Sequence, residues 1–262
     1  MRNLPQFQGI ALKKRFGQNF LQDARYLDVM PQQVELTAGT SVLEIGGGAG
    51  VLTRAILAQK PARLWVFEID PEWVAYLGKQ IKDKRLTVIA DNILDFDFEQ
   101  FAPHAPWTIL ANLPYHITFP LLHRIQQHRT LFAQGVIMVQ DEVAQKITKT
   151  HGRDYGFISL FFQWYFQWRL LDRVPPSAFF PAPKVFSRLL YFKPIEKTPE
   201  IPDEKLFWQF IKQCFKQPRR TLRNNLAQGS YDTTNIPEAI VLLRAQQLSM
   251  ADLLELWQMV RR

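Results

Sequence analysis

The segment Asn112-Leu113-Pro114-Tyr115-His116 combines residue types that suit one chemical task. It follows a short apolar run, Trp107 to Ala111, which predicts a buried strand. The side-chain oxygen of Asn112 and the backbone carbonyl of Pro114 can accept hydrogen bonds from an exocyclic amine, and the ring of Tyr115 offers a surface for stacking. The segment therefore predicts a site for a planar, nitrogen-bearing ring, although a strand followed by a proline turn would explain it by itself.

A glycine-rich segment, Glu44-Ile45-Gly46-Gly47-Gly48-Ala49-Gly50, follows an earlier predicted strand and leads into a predicted helix. Glycines allow a tight turn and a close approach of the backbone to a ligand. The dinucleotide fingerprint requires a further glycine where this chain has Val51, which disfavours a nicotinamide-dependent oxidoreductase. No lysine of the Walker type follows the glycines, which disfavours a nucleoside triphosphate as the ligand.

Carboxylates follow the next two predicted strands. Glu68 lies 22 residues after Gly46, where an acidic side chain can accept hydrogen bonds from both ribose hydroxyls. Asp91 follows the third strand and can accept a hydrogen bond from an adenine amino group. Because ligands of open α/β sheets bind at the carboxyl ends of the strands, we expect these residues and Asn112 to share a site. The constellation predicts S-adenosylmethionine as the cofactor and methyl transfer to an amine of a nucleobase as the reaction.

Strand and helix patterns alternate from Ser41 to about Lys149, which predicts a parallel sheet with helices on both faces. The predicted strands are Ser41–Ile45, Arg63–Ile69, Leu86–Ala90, Trp107–Ala111 and Gly135–Val139, and the predicted helices are Leu52–Gln59, Pro71–Ile81, Phe119–Gln127 and Asp141–Thr148. Two later strands, Gln163–Val174 and Lys184–Lys193, are expected to form a hairpin at the edge of the sheet.

The chain is expected to contain two domains joined by a linker at about residues 195–202, which prolines and charged residues punctuate. Beyond the linker the patterns are only helical, over Glu204–Lys216, Arg219–Leu226, Pro237–Leu243 and Ala251–Val260. We expect a Rossmann-like α/β domain with a basic N-terminal segment over residues 1–194 and a small all-helical domain over residues 203–262. The aromatic run at 157–168 is expected to pack in the core.

The formal net charge of +8 favours a polyanionic partner. Half of this excess lies in residues 1–25, whose charged residues are Arg2, Lys13, Lys14, Arg15, Asp23 and Arg25. A basic start can also be an organelle transit peptide. The dense motif that begins at Phe16, and the lack of serine before it, favour a mature N-terminus instead.

The amino-acid composition excludes several further kinds of protein and site. Cys214 is the single cysteine, so an internal disulfide is excluded and a reducing compartment is favoured. The five histidines lack metal-ligand spacing, and we expect no metal. The apolar runs are shorter than a membrane span requires. We expect a cytoplasmic monomer that does not bind membranes.

These motifs resemble those of the ribosomal small-subunit RNA adenine dimethyltransferases (KsgA type), and the resemblance covers nearly the whole chain. The matching segments are Lys14–Asp23, Val42–Gly46, Asn112–Tyr115, Val174–Val185 and Arg219–Leu226. The second and third are shared broadly by adenine methylases, whereas the proline-rich fourth segment and the arginine-rich fifth are particular to this type.

The resemblance implies dimethylation at N6 of two adjacent adenosines near the 3′ end of small-subunit rRNA, with a role in ribosome biogenesis. It implies catalytic positions at Asn112, Pro114 and Tyr115, with Phe179 stacking on the other face of the target base. It implies that the cofactor is contacted by Gln18, Asn19, Leu21, Gly46, Gly48, Glu68, Asp91 and Asn112. The chain departs from the family at Gly47, where proline is usual, at His116, where asparagine is common, and at Asp141, where lysine is common.

Basic residues near the C-terminus recur at helical spacing, at Lys212, Lys216, Arg219, Arg220 and Arg223, with Pro218 starting a new helix. A charged face of this kind is often only solvated. Because the whole chain is basic, we expect contacts with RNA phosphates from Lys13, Lys14, Arg15, Lys216, Arg219, Arg220 and Arg223.

Two alternatives remain open. One is an RNA-binding ribosome-assembly factor without catalysis, which the intact pattern at Glu68, Asp91, Asn112 and Tyr115 disfavours. The other is a large-subunit rRNA adenine methylase of the macrolide-resistance type, which Val174–Val185 disfavours.

Overall fold

The computed structural model describes residues 5–229 and 231–260, apart from the side chain of Lys14, and its centre is a seven-stranded sheet. The strands are β1 (Gln6–Phe7), β2 (Ile10–Ala11), β3 (Phe20–Leu21), β4 (Ser41–Ile45), β5 (Arg63–Phe67), β6 (Leu86–Ile89), β7 (Trp107–Asn112), β8 (Phe132–Gln140), β9 (Phe166–Val174), β10 (Phe179–Phe180) and β11 (Ser187–Pro194). The α-helices are α1 (Ala24–Gln32), α2 (Val51–Ala58), α3 (Pro71–Gln80), α4 (Thr118–Gln127), α5 (Asp141–Thr148), α6 (Phe157–Tyr165), α7 (Glu204–Cys214), α8 (Leu222–Ala227), α9 (Glu238–Val241) and α10 (Met250–Val260).

The large sheet has the strand order β6-β5-β4-β7-β8-β11-β9. Strands β6, β5, β4, β7 and β8 run parallel, and β11 runs antiparallel to β8. All five residues of β4 are buried, as expected for a parallel strand that is covered on both faces. The predicted α/β class is confirmed, and β9 and β11 lie side by side at one edge as expected.

Several element boundaries differ from the sequence prediction, and two of them are informative. The strand predicted from Gln163 begins only at Phe166, because residues 163–165 complete α6. The Gln163 side chain donates to the carbonyls of Ile147 and Lys149 at 2.7 Å, and local strand propensity gives no sign of such a partner. The helix predicted from Arg219 begins at Leu222, so Arg219 and Arg220 were wrongly placed in a helix.

The N-terminal motif is joined to the proline-rich segment by a short ladder. Strand β3 pairs antiparallel with β10, with Leu21 opposite Phe179. The Gln22 amide also donates to the Ala178 carbonyl at 2.8 Å. These hydrogen bonds hold the N-terminal motif against the proline-rich segment, although the two are distant in sequence.

The chain divides into two compact units. The first runs to Ala144 and resumes over Gln167–Pro194, and the second comprises Gln145–Phe166 and the chain from Ile195 onward. Residues 145–166 were expected in the first domain, but in the structure they group with the second unit. Aromatic packing is the physical reason, since the ring centroids of Phe161 and Trp208 are 5.0 Å apart.

The second unit has an aromatic core of its own. The indole of Trp208 donates to the Tyr165 hydroxyl at 2.7 Å, and the rings of Phe210 and Trp257 lie 5.6 Å apart. Cys214 is buried in this core, and burial raises the pKa of its thiol. Within the described ranges no helix is long and apolar enough to cross a membrane.

Candidate active site

The predicted site residues converge where the strand order reverses. Strands β5 and β6 extend the sheet on one side of β4, whereas β7 adds on its other side. The chain leaves β4 at Gly46, and β7 ends at Asn112. At such a point the segments that follow two neighbouring parallel strands leave toward opposite sides of the sheet. A crevice remains between them in which a ligand can bind. A cavity at these strand ends is lined by Gln18, Asn19, Leu21, Gly46, Gly48, Glu68, Asn112 and Pro114, among others.

The glycine loop after β4 approaches its neighbours too closely for larger residues. Gly48 has a φ of +48°, and a Cβ there would lie 2.6 Å from Phe20 Cε1. A Cβ on Gly47 would lie 2.4 Å from Val66 Cγ1, so Val66 takes the room that a larger residue would need. This proximity gives a physical reason for glycine at position 47.

Glu68 is tied to the glycine loop from across the crevice. Its Oε2 accepts a hydrogen bond from the Gly48 amide at 2.8 Å, and its Oε1 accepts one from the Asp70 amide at 2.9 Å. Burial raises the pKa of Glu68, and the two backbone donors partly oppose this rise. Each oxygen retains a further lone pair for a ligand hydroxyl.

Glu44 is a buried acid of the site that was not predicted from the sequence. It is fully buried in β4 and lines the same cavity. Among the described residues neither of its Oε atoms has a hydrogen-bond partner. Burial raises the pKa of Glu44 to about 8, and the Glu68 charge adds to the rise. An acid directly before the glycines was the signal that could have identified it.

The N-terminal motif closes one side of the cavity through Gln18. The Gln18 side chain donates to Asp70 Oδ2 at 3.1 Å and accepts from the Lys13 amide at 2.8 Å. The Lys13 ammonium pairs with Asp70 at 2.6 Å and with Glu72 at 2.7 Å. These two ion pairs anchor the N-terminal motif to the start of α3, and the predicted contact of Lys13 with RNA phosphates stays a prediction.

The orientation of the Asn112 amide is set by the same N-terminal motif. Its Nδ2 donates to the Asn19 carbonyl at 3.1 Å, and Asn19 Nδ2 in turn donates to the Gly17 carbonyl at 3.2 Å. Asn112 Oδ1 therefore points away from this hydrogen bond and accepts none from the described residues. An oriented acceptor is thus available at the end of β7.

Pro114 and Tyr115 follow in a 3₁₀ turn. The Pro114 carbonyl accepts a hydrogen bond from the Ile117 amide at 3.1 Å, which leaves one lone pair for another donor. The Tyr115 hydroxyl and the Ser187 hydroxyl are 2.7 Å apart, and Ser187 is fully buried. Ser187 thus holds the edge of the ring that is the predicted stacking surface, and this role of Ser187 was not predicted from the sequence.

Phe179 and Asp91 lie differently from the other predicted residues. Phe179 is only 5% exposed and packs in the main hydrophobic cluster. Asp91 is exposed and lines a second cavity of about 310 Å³, which shares Gly46 and Pro114 with the first. The Asp91 carboxylate accepts from the Asn92 amide at 2.7 Å.

Arg15 is a cation of the N-terminal segment that lies beside the second cavity. It is exposed, lines the second cavity, and stacks on the Phe16 ring at 4.7 Å. The side chain of Lys14 lies outside the described part of the structure. Lys216, Arg219 and Arg220 are exposed in the segment between α7 and α8, whereas Arg223 pairs with Glu238.

Asp141 is the centre of an ion-pair cluster in which its own side chain is 9% exposed and that of Arg173 is 52% exposed. Its carboxylate accepts from Arg173 at 2.8 Å and from Arg188 at 2.5 Å. Its backbone amide donates to the Phe186 carbonyl at 2.9 Å. The cluster fixes the start of β11 next to Ser187.

The chain has a Rossmann-like α/β fold, which two solved methyltransferases share. A solved dimethyladenosine transferase from Plasmodium falciparum is similar, with a TM-score of 0.76 and 21% identity over 91% of this chain and 96% of that one. The 23S rRNA methyltransferase ErmE has a TM-score of 0.69 and 21% identity over 93% of this chain and 100% of that one. At these identities the likeness shows the fold.

Sequence comparison gives the family. A model of ribosomal RNA adenine dimethylases matches residues 9–258. The chain is 36% identical to the ribosomal RNA small subunit methyltransferase A of Syntrophotalea carbinolica, over 95% of this chain and 97% of that protein. It is 38% identical to the protein of the same name from Laribacter hongkongensis, over 82% of each. The chain belongs to the ribosomal RNA adenine dimethylase family, which confirms the resemblance seen in its motifs.

Proposed function

We propose that this protein transfers methyl groups from S-adenosylmethionine to N6 of two adjacent adenosines near the 3′ end of small-subunit rRNA. Family membership and the names of the relatives support the reaction and the RNA. The observation that carries the proposal is the fixed amide of Asn112, whose Nδ2 is held by the Asn19 carbonyl at 3.1 Å while Oδ1 is left as an acceptor.

An acceptor of this kind is what an adenine amine requires. The N6 lone pair is delocalised into the ring, so N6 is a poor nucleophile. Asn112 Oδ1 and the second lone pair of the Pro114 carbonyl can each accept one N6 hydrogen, which favours a pyramidal nitrogen with a directed lone pair. These acceptors also stabilise the positive charge that develops on N6, and they act by position and electrostatics.

A strong general base is not required, because the ammonium formed on N6 is very acidic and loses its proton readily. After the first transfer one N6 hydrogen remains for the two acceptors. Dimethylation therefore requires the monomethylated amine to return with its methyl group turned away from Asn112 or Pro114.

The target base must leave its stack to reach these acceptors. Tyr115 would cover one face of the base, with its ring held by Ser187. Arg15 lines the neighbouring cavity and can meet a phosphate of the same strand. Phe179 can cover the second face only if its segment opens, since the ring is buried between β3 and the core.

The residues around the crevice fit S-adenosylmethionine. Glu68 would accept from the ribose hydroxyls, Asp91 from the adenine amine, and the glycine loop would allow close approach. The buried and unpartnered carboxylate of Glu44 suits the amino-acid ammonium group. When bound, the cofactor supplies an electrophilic methyl group. The proposal also includes a cytoplasmic location and a monomer, which cell fractionation and sedimentation would check.

A tritium-methyl transfer assay on small-subunit rRNA tests this function. Wild type should label the RNA, and nuclease mapping should place the label on two adjacent adenosines near the 3′ end. Asn112→Ala should lower kcat more than it weakens RNA binding, because its acceptor matters most as charge develops on N6. Cofactor affinity is measured separately, and exposed Asn224→Ala serves as the matched control.

Binding of the RNA by wild type without any transfer would overturn the enzymatic proposal in favour of an assembly factor. Label found only in large-subunit rRNA would overturn the choice of substrate.

A further inference from the structure

The second unit contains a cavity of about 670 Å³ that is separate from the candidate active site. Five cationic side chains line it, at Lys146, Arg153, Lys212, Arg219 and Arg244. One carboxylate, Asp154, lines it as well. We name this cavity the basic cleft. Its lining charge is strongly positive, so its ligand must be anionic.

The cations of the basic cleft form no ion pairs within the fold. All five are exposed, and none lies within 4.0 Å of a carboxylate among the described residues. Arg223 of the same unit differs, since it pairs with Glu238. Five cations around one cavity with a single carboxylate among them repel each other, and a bound anion would relieve that repulsion.

Aromatic rings form part of the same wall. Tyr155 is half-buried and meets Phe215 edge to face at 6.0 Å, and the Lys212 ammonium lies over the Phe157 ring at 4.8 Å. Rings beside such cations are the combination with which proteins hold single-stranded nucleic acid, by stacking a base and neutralising its phosphates. A free phosphate or an acidic peptide would make no use of the rings.

The frame of the cleft is held by buried hydrogen bonds. Asn225 is fully buried and donates to the carbonyls of Cys214 and Gln217 at 2.9 and 3.2 Å, which fixes the segment that carries Arg219. Ser159 donates to the Lys146 carbonyl at 2.7 Å and so joins the opposite wall to α6. The cations are therefore mounted on a defined surface, which reduces the entropy lost when a ligand binds.

We propose that the basic cleft binds an unpaired nucleotide of the RNA substrate, with its base on Tyr155 and its flanking phosphates on the five cations. The inference rests on the proposed RNA substrate and adds a second binding site, which is distinct from the site of the base that is methylated. It predicts a preference for RNA that presents an unpaired nucleotide outside the methylated segment.

The test compares two charge-matched triple variants of the full chain. The cleft variant carries Lys212→Gln, Arg219→Gln and Arg244→Gln. The control carries Lys149→Gln, Lys197→Gln and Lys205→Gln, which removes three exposed cations of the same unit outside the cleft. RNA affinity is measured between about 0.05 and 0.2 M salt on a small-subunit rRNA fragment with an unpaired nucleotide and on a fully paired duplex of equal length.

The cleft variant should lower the log–log salt slope by about 2, at roughly 0.7 for each phosphate that is no longer neutralised, and the control should lower it much less. Tyr155→Ala should weaken binding of the fragment by roughly 5- to 100-fold while leaving the salt slope unchanged. Asp154→Asn should strengthen binding, because it removes the one opposing charge. Since damage to the fold does not raise affinity, this variant separates a binding role from a structural one.

Equal slopes for the cleft variant and the control would overturn the proposal. An unchanged fragment-to-duplex ratio in Tyr155→Ala would also overturn it and would indicate a surface for paired RNA. Retained S-adenosylmethionine binding in all variants shows that the first unit is intact. Methyl transfer by wild type is scored separately, so a failure of the cleft is distinguishable from a failure of the proposed reaction.

Discussion

Replacing Glu44 with glutamine should make the stability of the cofactor-free protein less dependent on pH. Glu44 is fully buried, lacks a hydrogen-bond partner among the described residues, and has its pKa raised from 4.5 to about 8 by burial. A raised pKa means that the folded state holds the protonated form. The stability this provides is complete below pH 4.5 and is lost as the pH rises toward about 8.

The size of the effect on stability follows from the interval between the two pKa values of Glu44. Each pH unit between the unfolded and folded pKa values costs about 1.36 kcal/mol, because the unfolded chain releases a proton that the folded chain keeps. Between pH 5 and pH 8 the free energy of unfolding of wild type should therefore fall by about 3–4 kcal/mol through Glu44 alone. Glutamine has nearly the same shape and does not titrate, so Glu44→Gln lacks this loss.

Urea unfolding of wild type and Glu44→Gln at pH 5, 6, 7 and 8 measures the effect. The free energy of unfolding of the variant minus that of wild type should rise by about 3–4 kcal/mol over this range. Burying the glutamine amide of the variant costs the same free energy at every pH. This cost therefore cancels when the difference at pH 8 is compared with the difference at pH 5. The exposed substitution Glu255→Gln serves as the matched control.

A difference between Glu44→Gln and wild type that is the same at pH 5 and pH 8 would refute the reasoning, since it would mean that Glu44 is ionised or hydrogen-bonded in the folded protein. Calorimetry adds a second readout. If the carboxyl receives the ammonium group of S-adenosylmethionine, wild type should release protons on binding at pH 7, and Glu44→Gln should release fewer.

Three further predictions concern neighbouring residues. Glu68→Ala should weaken S-adenosylmethionine binding by roughly 1.5–3 kcal/mol, the value of a hydrogen bond to a charged group, and unchanged affinity in calorimetry would remove Glu68 from the site. Tyr115→Phe and Ser187→Ala should each lose one hydrogen bond, about 1 kcal/mol, and lower kcat modestly, whereas Tyr115→Ala should be severe; equal damage from Tyr115→Phe and Tyr115→Ala would contradict the stacking role. Asp141→Ala should destabilise the protein by roughly 1–3 kcal/mol in urea unfolding, because Arg188 and Arg173 lose their shared partner, and wild-type stability in that variant would show that the cluster does not stabilise the fold.

Local pattern was enough to predict the sheet and the place of its ligand. Continuous apolar runs such as Ser41–Ile45 and Trp107–Ala111 are typical of buried parallel strands. Because the carboxyl ends of parallel strands share one edge, polar residues just after such runs were expected to meet there. Gly46, Glu68 and Asn112 do line one cavity, and Asp91 lines the cavity next to it.

Tertiary structure alone decided which partner each polar group found. Lys13 reads as a free cation in the sequence, but the fold places it against Asp70 and Glu72. Asn112 gains its orientation from Asn19, and Tyr115 gains its anchor from Ser187, partners that are far away along the chain. Neither pairing can be predicted from the residues next to Asn112 or Tyr115 in the sequence.

The same holds for the basic cleft. The spacing from Lys212 to Arg223 predicted one helical face, but buried Asn225 holds the intervening segment out of a helix. Arg219 then meets Arg153 around a shared cavity. The spacing of residues in the sequence predicts which face of a helix or strand a side chain lies on. A binding site instead depends on residues from different elements that packing brings together. The sequence therefore determined the elements, the family and the chemistry of the strand ends, and the packing determined which charges are bound and which are free.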